Sequence, residues 1–471
     1  MTAPKPQSGK PFDRSIVEGP IPRAVWRLAW PTVLQNVIGG LQGIVDHAMV
    51  GRFVGHAANA AVGVSLQIFL VVVVFVMSVY AGMGVLVARF AGAGNAERVN
   101  HTVYQSFLTT LVLSIGVLAP LGWVLAPSLL DFVNAAPEVQ REALPYLRTM
   151  FIGSIGMLLF FMLSGALRSA GDAKTPLQLG VAMTVLNVIF NVILIRGLGP
   201  IPAFGTMGAA LGTLLAGVIT GAVGLWLLMS GRMVVHWHRG MSLRPDWTTI
   251  RELFRFGLPA GLQGIAMNIA GVFLLRFIGS LADSAAAQAA FAIGYTELFS
   301  FITWTSVGLM GAVAAVAGQN LGAGKPERSV RAVHTAATYG VYIALFVGAL
   351  FLTIPRFLLG LFGMDDPVVL ALGSELLGWL SVSGLFVSVA LTYTGGLQGT
   401  GDTKGPLYIS IISQIVVPLG ICSVLQAMRP LQSADIWMAI LLGHITRSVL
   451  SVWRFRIGKW RTIEVRMAPT P

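Results

Sequence analysis

Charge is what this sequence has least of. Asp, Glu, Lys and Arg make up 11% of its 471 residues, where a soluble domain carries roughly 25%. A chain so poor in charge cannot cover a water-facing surface of ordinary size, so lipid must be the solvent for most of it. Cysteine is nearly absent as well. Cys422 stands alone inside an apolar segment, which excludes a disulfide framework and any Cys-rich metal site. Catalytic signatures are also missing. There is no His-Glu-x-x-His and no nucleophile elbow, and Gly322-Ala323-Gly324-Lys325 only imitates a phosphate loop. A Walker A motif needs Gly where Gln319 stands and Ser or Thr where Pro326 stands. With no ATP site, an ion gradient is the expected energy source.

Apolar residues are abundant, at 55% of the chain. Measured against the ~20 apolar residues that cross a bilayer, spans fall near 27–51, 59–87, 102–128, 143–168, 176–196 and 207–230. Six more lie near 252–279, 286–316, 332–360, 371–398, 406–427 and 434–453. The expected fold is all-α and polytopic, with about 12 transmembrane helices in two six-helix lobes. The division is a polar tail at 1–22, an N-lobe at 23–231, a linker at 232–250, a C-lobe at 251–455 and a basic tail at 456–471. The first residues, with Lys5, Lys10, Asp13 and Arg14, lack a signal peptide's apolar core and read as a free tail before an uncleaved first helix.

The halves repeat. Ser164-Gly165-Ala166-Leu167-Arg168-Ser169-Ala170-Gly171-Asp172 returns 230 residues later as Thr394-Gly395-Gly396-Leu397-Gln398-Gly399-Thr400-Gly401-Asp402. Gly92-Ala93-Gly94-Asn95-Ala96-Glu97-Arg98 returns at the same offset as Gly322-Ala323-Gly324-Lys325-Pro326-Glu327-Arg328, and Arg52-Phe53-Val54-Gly55 resembles Arg276-Phe277-Ile278-Gly279. An even number of spans per half makes this a parallel repeat about an axis along the membrane normal. Only seven of the 31 Lys and Arg residues fall on the side opposite the termini: Arg52, Arg141, Arg148, Arg196, Arg276, Arg356 and Arg429. The positive-inside rule then puts both termini in the cytoplasm. The net charge of +12 is thus a topology signal and a lipid-headgroup contact, and no nucleic-acid partner is expected. The Gly39/Gly43 and Gly217/Gly221 pairs suit close helix packing.

A carboxylate inside an apolar span costs at least about 2.5 kcal/mol on insertion scales, so it is read first as functional. Asp46, in the first span, is the leading candidate for proton coupling; the alternative is a helix-end carboxylate reaching water or pairing with Arg52. Glu297 lies about ten residues into the eighth span, and Gln67 occupies its repeat position. The two read as polar groups at one depth lining a cavity, with an interhelical hydrogen bond or contact with a substrate cation as the alternatives for Glu297. Asn187 and Asn191 are spaced i, i+4 and share a helix face, either to bond a protonating neighbour or coordinate a cation, or to glue helices together. His47 and His444 are relay candidates or simple packing residues. Trp304, two turns beyond Glu297, lines a cavity for aromatic cations or packs the interior. Pro31, 15 residues before Asp46 on the same span, is either a hinge or a proline tolerated in a first turn.

Together these features resemble the multidrug and toxic compound extrusion (MATE) family. The matching residues are Leu28-Ala29-Trp30-Pro31 with Val45-Asp46 and Val50-Gly51, then Ala166-Leu167-Arg168 with Gly171-Asp172, Leu186-Asn187 with Ile195, and Gly208-Ala209-Ala210. In the second half they are Gly318-Gln319-Asn320-Leu321-Gly322 and Gly396-Leu397-Gln398-Gly399 with Gly401-Asp402-Thr403. The ordered set covers roughly 20–455. The resemblance implies a two-lobed antiporter that opens alternately to each side of a bacterial inner membrane and exports organic cations or amphipathic compounds against H⁺ or Na⁺. It implies no other cofactor, a small-molecule substrate, lipid contact and a monomer. In the DinF-like branch, which the chain resembles more, the N-lobe cation site maps onto Asp46, Asn187 and Asn191. Asn191 stands where the family often has Asp, leaving Asp46 as the single titrating group. The acids of the NorM-like C-lobe site are missing at Ala266-Met267-Asn268 and near Val387, although Glu297 offers a different carboxylate. A flippase for lipid-linked sugars is the nearest rival and expects a cationic cavity. These spans are nearly free of Lys and Arg, Arg447 being the main exception, which argues against anionic cargo. A membrane-embedded enzyme would need convergent catalytic groups, and the sequence offers none.

Overall fold

The computed structural model describes residues 11–133, 135–237 and 244–465. Lys5 and Lys10 of the N-terminal tail, His238 and Arg239 of the linker range and Arg466 of the basic tail range lie outside them. Among the described residues there are twelve long helical spans: α1 (Ile21–Phe53), α2 (His56–Gly92), α3 (Ala96–Phe132), α4 (Pro137–Gly153 with Ile155–Ser169), α5 (Lys174–Arg196), α6 (Gly205–Met229), α7 (Trp247–Ile278), α8 (Ser284–Gly322), α9 (Pro326–Thr353), α10 (Pro367–Gly399), α11 (Lys404–Met428) and α12 (Ser433–Ile457). The only extended pairing among them is one isolated bridge, Leu198 to Ile201. Even α5, with 23 residues, reaches about 35 Å at 1.5 Å per residue, more than the ~30 Å hydrocarbon core.

Ten of these spans are long and apolar enough to cross a membrane, and α4, bent by 52° around Ser154, makes an eleventh. The twelfth, α1, has the length, at 33 residues, but Gln35, Asn36, Gln42, Asp46 and His47 dilute its apolar stretch. Several helices run beyond the spans expected from hydropathy. α1 starts at Ile21 and α7 at Trp247, because a backbone can stay helical past Arg23, Arg27, Arg251 and Arg255 where an apolar ruler stops.

The chain forms two compact units. One holds 38–258 with the described ends 11–14 and 465; the other holds 15–37 and 259–464. The divisions fall inside α1 and α7, so 23–37 belongs with the second unit and 251–258 with the first, unlike the sequence halves 23–231 and 251–455. Close packing explains this. In the first unit the leading part of α7 lies so near α2 that a Cβ on Gly257 would sit 1.7 Å from the Ser78 carbonyl oxygen. In the second unit Val33 of α1 lies against Gly308 of α8. Gly217 and Gly221 also pack as expected, α6 lying against Gly156 and Met157 of α4, whereas Gly39 and Gly43 face open space. α10 is the central helix of the second unit, with 67% of its apolar stretch buried, and the core around it includes Phe291, Phe299, Phe351 and Trp437.

The repeat extends to backbone geometry. Gly94 and Gly324 turn with φ of 74° and 72°, and Gly171 and Gly401 with 104° and 100°, conformations in which a Cβ is strained. After the second pair, Asp172 Oδ1 accepts from the Thr175 amide at 3.1 Å and Asp402 Oδ1 from the Gly405 amide at 3.0 Å. These are matched caps that start α5 and α11. Each unit also carries a polar strap. In the second, Arg328 donates to the carbonyl of Gly19 at 2.6 Å, and Lys325 to that of Val17 at 3.1 Å. In the first, the segment before α7 is tied to α3: the His236 amide donates to Asn100 Oδ1 at 3.0 Å, and the Asp246 amide to Gln105 Oε1 at 3.1 Å.

Burial alone would raise the pKa of Asp246. The Thr249 hydroxyl (2.6 Å), His101 Nε2 (3.0 Å) and the amides of Thr248 and Thr249 outweigh it and hold the carboxyl below the ordinary aspartate range. A depressed carboxyl stabilises the fold above its unfolded pKa, near 3.9, and that contribution is lost as pH falls through the folded value. The thermal unfolding midpoint is therefore expected to drop more steeply below about pH 4 in the wild type than in Asp246→Asn; parallel pH profiles would contradict the assignment. Gly257→Val is expected to cost about 3 kcal/mol or more, since backbone and not a flexible tip fills the space. The readout is loss of monodisperse protein on size exclusion, with Gly264→Val, where a Cβ meets nothing within 4 Å, behaving as wild type.

Candidate functional site

Within the first unit, the later part of α1 and α5 present polar residues at helical spacing. Gln42 and Asp46 are four apart on α1; Thr184, Asn187 and Asn191 follow at three and four on α5, so each set shares a face. The faces meet. Asn191 Nδ2 donates to Asp46 Oδ1 at 2.7 Å and lies 3.3 Å from Asn187 Oδ1. Asn187 Nδ2 donates to Thr213 Oγ1 on α6 at 3.0 Å, and Thr184 Oγ1 donates to Gln42 Oε1 at 2.8 Å. Gln42 also hydrogen-bonds the Asp46 carboxyl. Both asparagines are fully buried.

A glycine makes the arrangement possible. A Cβ on Gly212 of α6 would lie 2.1 Å from Asn191 Oδ1, so only a bare backbone lets that amide turn toward Asp46. The same Oδ1 is buried without a hydrogen-bond partner. Among the described residues no Lys, Arg or His pairs with Asp46, and its pairing with Arg52 is not observed. The site is thus one carboxyl surrounded by amides and hydroxyls. The groups that hold the carboxyl are neutral.

Asp46, Asn187 and Asn191 are therefore brought together. The other candidates stand apart from them. His47 Nδ1 lies 2.7 Å from Asn59 Oδ1 near the start of α2, outside the cluster. Gln67 is exposed on α2, in regular helix. In the second unit, Pro31 is buried within an uninterrupted α1. Glu297 is half-buried in Ala292–Leu298, a π-helical segment of α8, and makes no side-chain hydrogen bond or ion pair among the described residues. Trp304 is half-buried, edge-on to Phe301 at 5.5 Å. Sequence reasoning missed Gln42, Thr184, Thr213 and Gly212. The first two carried a legible signal, being one turn before residues already chosen. Thr213 and Gly212 carried none, because nothing local says which face of α6 meets α5.

The MatE family model matches residues 31–193 and 259–423, once in each half, and the chain belongs to that family. It is a multi-pass membrane transporter and not an enzyme. A probable multidrug resistance protein NorM of Thermotoga maritima is 28% identical over 439 residues, covering 92% of each chain. Another, of Deinococcus radiodurans, is 29% identical over 444 residues, covering 92% of this chain and 94% of its own. Among solved structures, an outward-facing multidrug resistance MATE family transporter of the MOP superfamily superposes with a TM-score of 0.88. It covers 95% of this chain and 98% of that one at 23% identity, a likeness of fold.

Gly212→Ala is expected to push the Asn191 amide off Asp46 and destabilise the first unit by about 1–3 kcal/mol. Adding Asn191→Ala should return part of that loss, giving a coupling between the two sites in a double-mutant cycle of thermal unfolding. Additive effects would contradict the contact.

Proposed function

We propose that the chain exports organic cations or amphipathic small molecules in exchange for H⁺, or Na⁺, by alternating access. It would do so in a bacterial inner membrane with both termini cytoplasmic. The observation that carries this reading is Asp46, the single carboxyl of a buried amide and hydroxyl cluster that no basic residue neutralises. A charge in that position is costly in a membrane, so the cluster favours whatever neutralises it, and an incoming proton does so most simply. Relatives named as multidrug resistance proteins support the cargo class, and the basic residues crowded on one side of the spans support the orientation.

In this reading the charged form of Asp46 goes with cargo held, and protonation from outside releases it. Binding shifts the two conformations only by its differential affinity for them. Pro31 supplies the flexible point on the same helix, since it has no amide to donate to the Arg27 carbonyl one turn back. If Na⁺ replaces H⁺, the ligands at hand are oxygens of Asp46, Asn187, Asn191 and Thr213, a donor set suited to a hard cation.

In pump-deficient bacteria, wild-type protein is expected to drive efflux of a fluorescent organic cation that follows the imposed proton or sodium gradient. Asp46→Asn, expressed at the same level, is expected to lose at least about tenfold of that rate, an effect of 1.4 kcal/mol or more. Gradient-driven efflux unchanged in Asp46→Asn would sink the coupling assignment.

A further inference from the structure

The second unit contains a site of opposite character. A cavity of about 260 Å³ opens between α7, α8, α11 and α12, and no Asp or Glu lines it. Asn268, Tyr295, Ser413, Gln414 and His444 supply its polar wall. The Nδ1 of His444, a residue 4% exposed, is buried without a hydrogen-bond partner. One turn further along α12 comes Arg447, only 3% exposed. Its Nη2 reaches Met267 Sδ on the cavity wall at 3.9 Å, and its Nε is buried without a partner. Among the described residues no carboxylate pairs with Arg447. Asp435 is bound by Arg429 at 2.6 Å and Asp402 by Arg454 at 2.7 Å, while Glu297 of α8 has no side-chain partner among the described residues and does not line the cavity.

Two further features mark this cavity. Two of its walls are π-helical segments, Ala292–Leu298 in α8 and Ile411–Val416 in α11. The repeat positions in α2 and α5 are regular α-helix. Such widened turns often accompany functional sites, because they re-aim side chains. The second feature is a stack of flat rings along one side. Phe291 and Tyr295 lie 4.8 Å apart at 9°, and Tyr295 and Phe299 flank the His444 ring at 6.5 and 5.9 Å, at 9° and 20°.

A guanidinium without a counter-charge inside an apolar unit is destabilising, and one whose Nε is unpartnered and whose Nη2 has only a thioether fits a planar acid. We propose that this cavity receives the carboxylate of an aromatic amphipathic cargo molecule, with Arg447 as its counter-charge, His444 and Gln414 as polar partners and the ring stack against its apolar face. This rests on the transporter reading and narrows it. Cargo then includes acids and zwitterions carrying an aromatic carboxylate, beyond simple cations.

The test uses full-length protein in phosphatidylcholine nanodiscs, without any ion gradient, and two dyes that differ only in the acid: rhodamine B and its methyl ester. Fluorescence anisotropy is expected to show the acid binding at least tenfold more tightly than the ester. Arg447→Gln is expected to abolish that preference, and Arg447→Lys to keep part of it. Equal binding of acid and ester by the wild type overturns the proposal, and this comparison stands even where Arg447→Gln fails to fold. An unchanged preference in a folded Arg447→Gln also overturns it. So does loss of the preference when phosphatidylglycerol is added, which would assign the pocket to a lipid headgroup. Because binding is read without a gradient, it can fail while efflux coupled through Asp46 succeeds, and the two readings are judged separately.

Discussion

Polar groups in these spans have no water to fall back on, and the molecule is organised around that shortage. A hydrogen-bonding group within the hydrocarbon must find its partner inside the chain, so helices form everywhere and hydroxyls return their protons to carbonyls one turn back. Thr102, Ser106, Thr109 and Thr110 of α3 all do so at 2.7 to 2.8 Å. Two groups of side chains that are not satisfied this way stand out, one in each unit. The first unit surrounds a carboxylate with amides. The second encloses a guanidinium and an imidazole beside a cavity.

The sequence disclosed its repeat at high resolution. A 230-residue offset between two short motifs carried over to turn glycines whose φ angles agree within a few degrees and to aspartates capping the same helix start. These features are local: a left-handed turn demands glycine, and a cap needs only its next few residues. Asp46, Asn187 and Asn191 were legible for a similar reason, since spacing placed the asparagines on one face and a carboxylate in an apolar stretch is conspicuous. The partners on α6 were hidden because Thr213 and Gly212 look like ordinary residues of a glycine-rich helix. Hydropathy could not reveal where the compact units divide, because the leading parts of α1 and α7 are recruited by close backbone approach and not by apolar pattern. Nor could it show the cavity beside Arg447, which depends on two π-helical segments that no sequence period announces.

Those segments show how a duplicated chain specialises. One inserted residue's worth of extra winding turns every later side chain on that helix, so Glu297 does not inherit the surroundings of Gln67 despite holding the same repeat position. Identical topology with altered winding lets one half hold a carboxyl among amides while the other encloses a cavity without an acid in its lining.

The division of α1 and α7 between the units governs how the protein is made. Synthesis proceeds from the N-terminus, and residues 15–37 emerge first, yet the rest of their unit begins at 259. The first unit in turn waits for 247–258 before the start of α7 can pack on α2. Neither half can finish assembling on the ribosome before the other has begun. The leading part of α1, up to residue 37, therefore has no partner from its own unit until residue 259 has been made, although the rest of the helix packs on α2 and α5. A gene cut in the linker would yield two fragments, each holding a piece that belongs to the other.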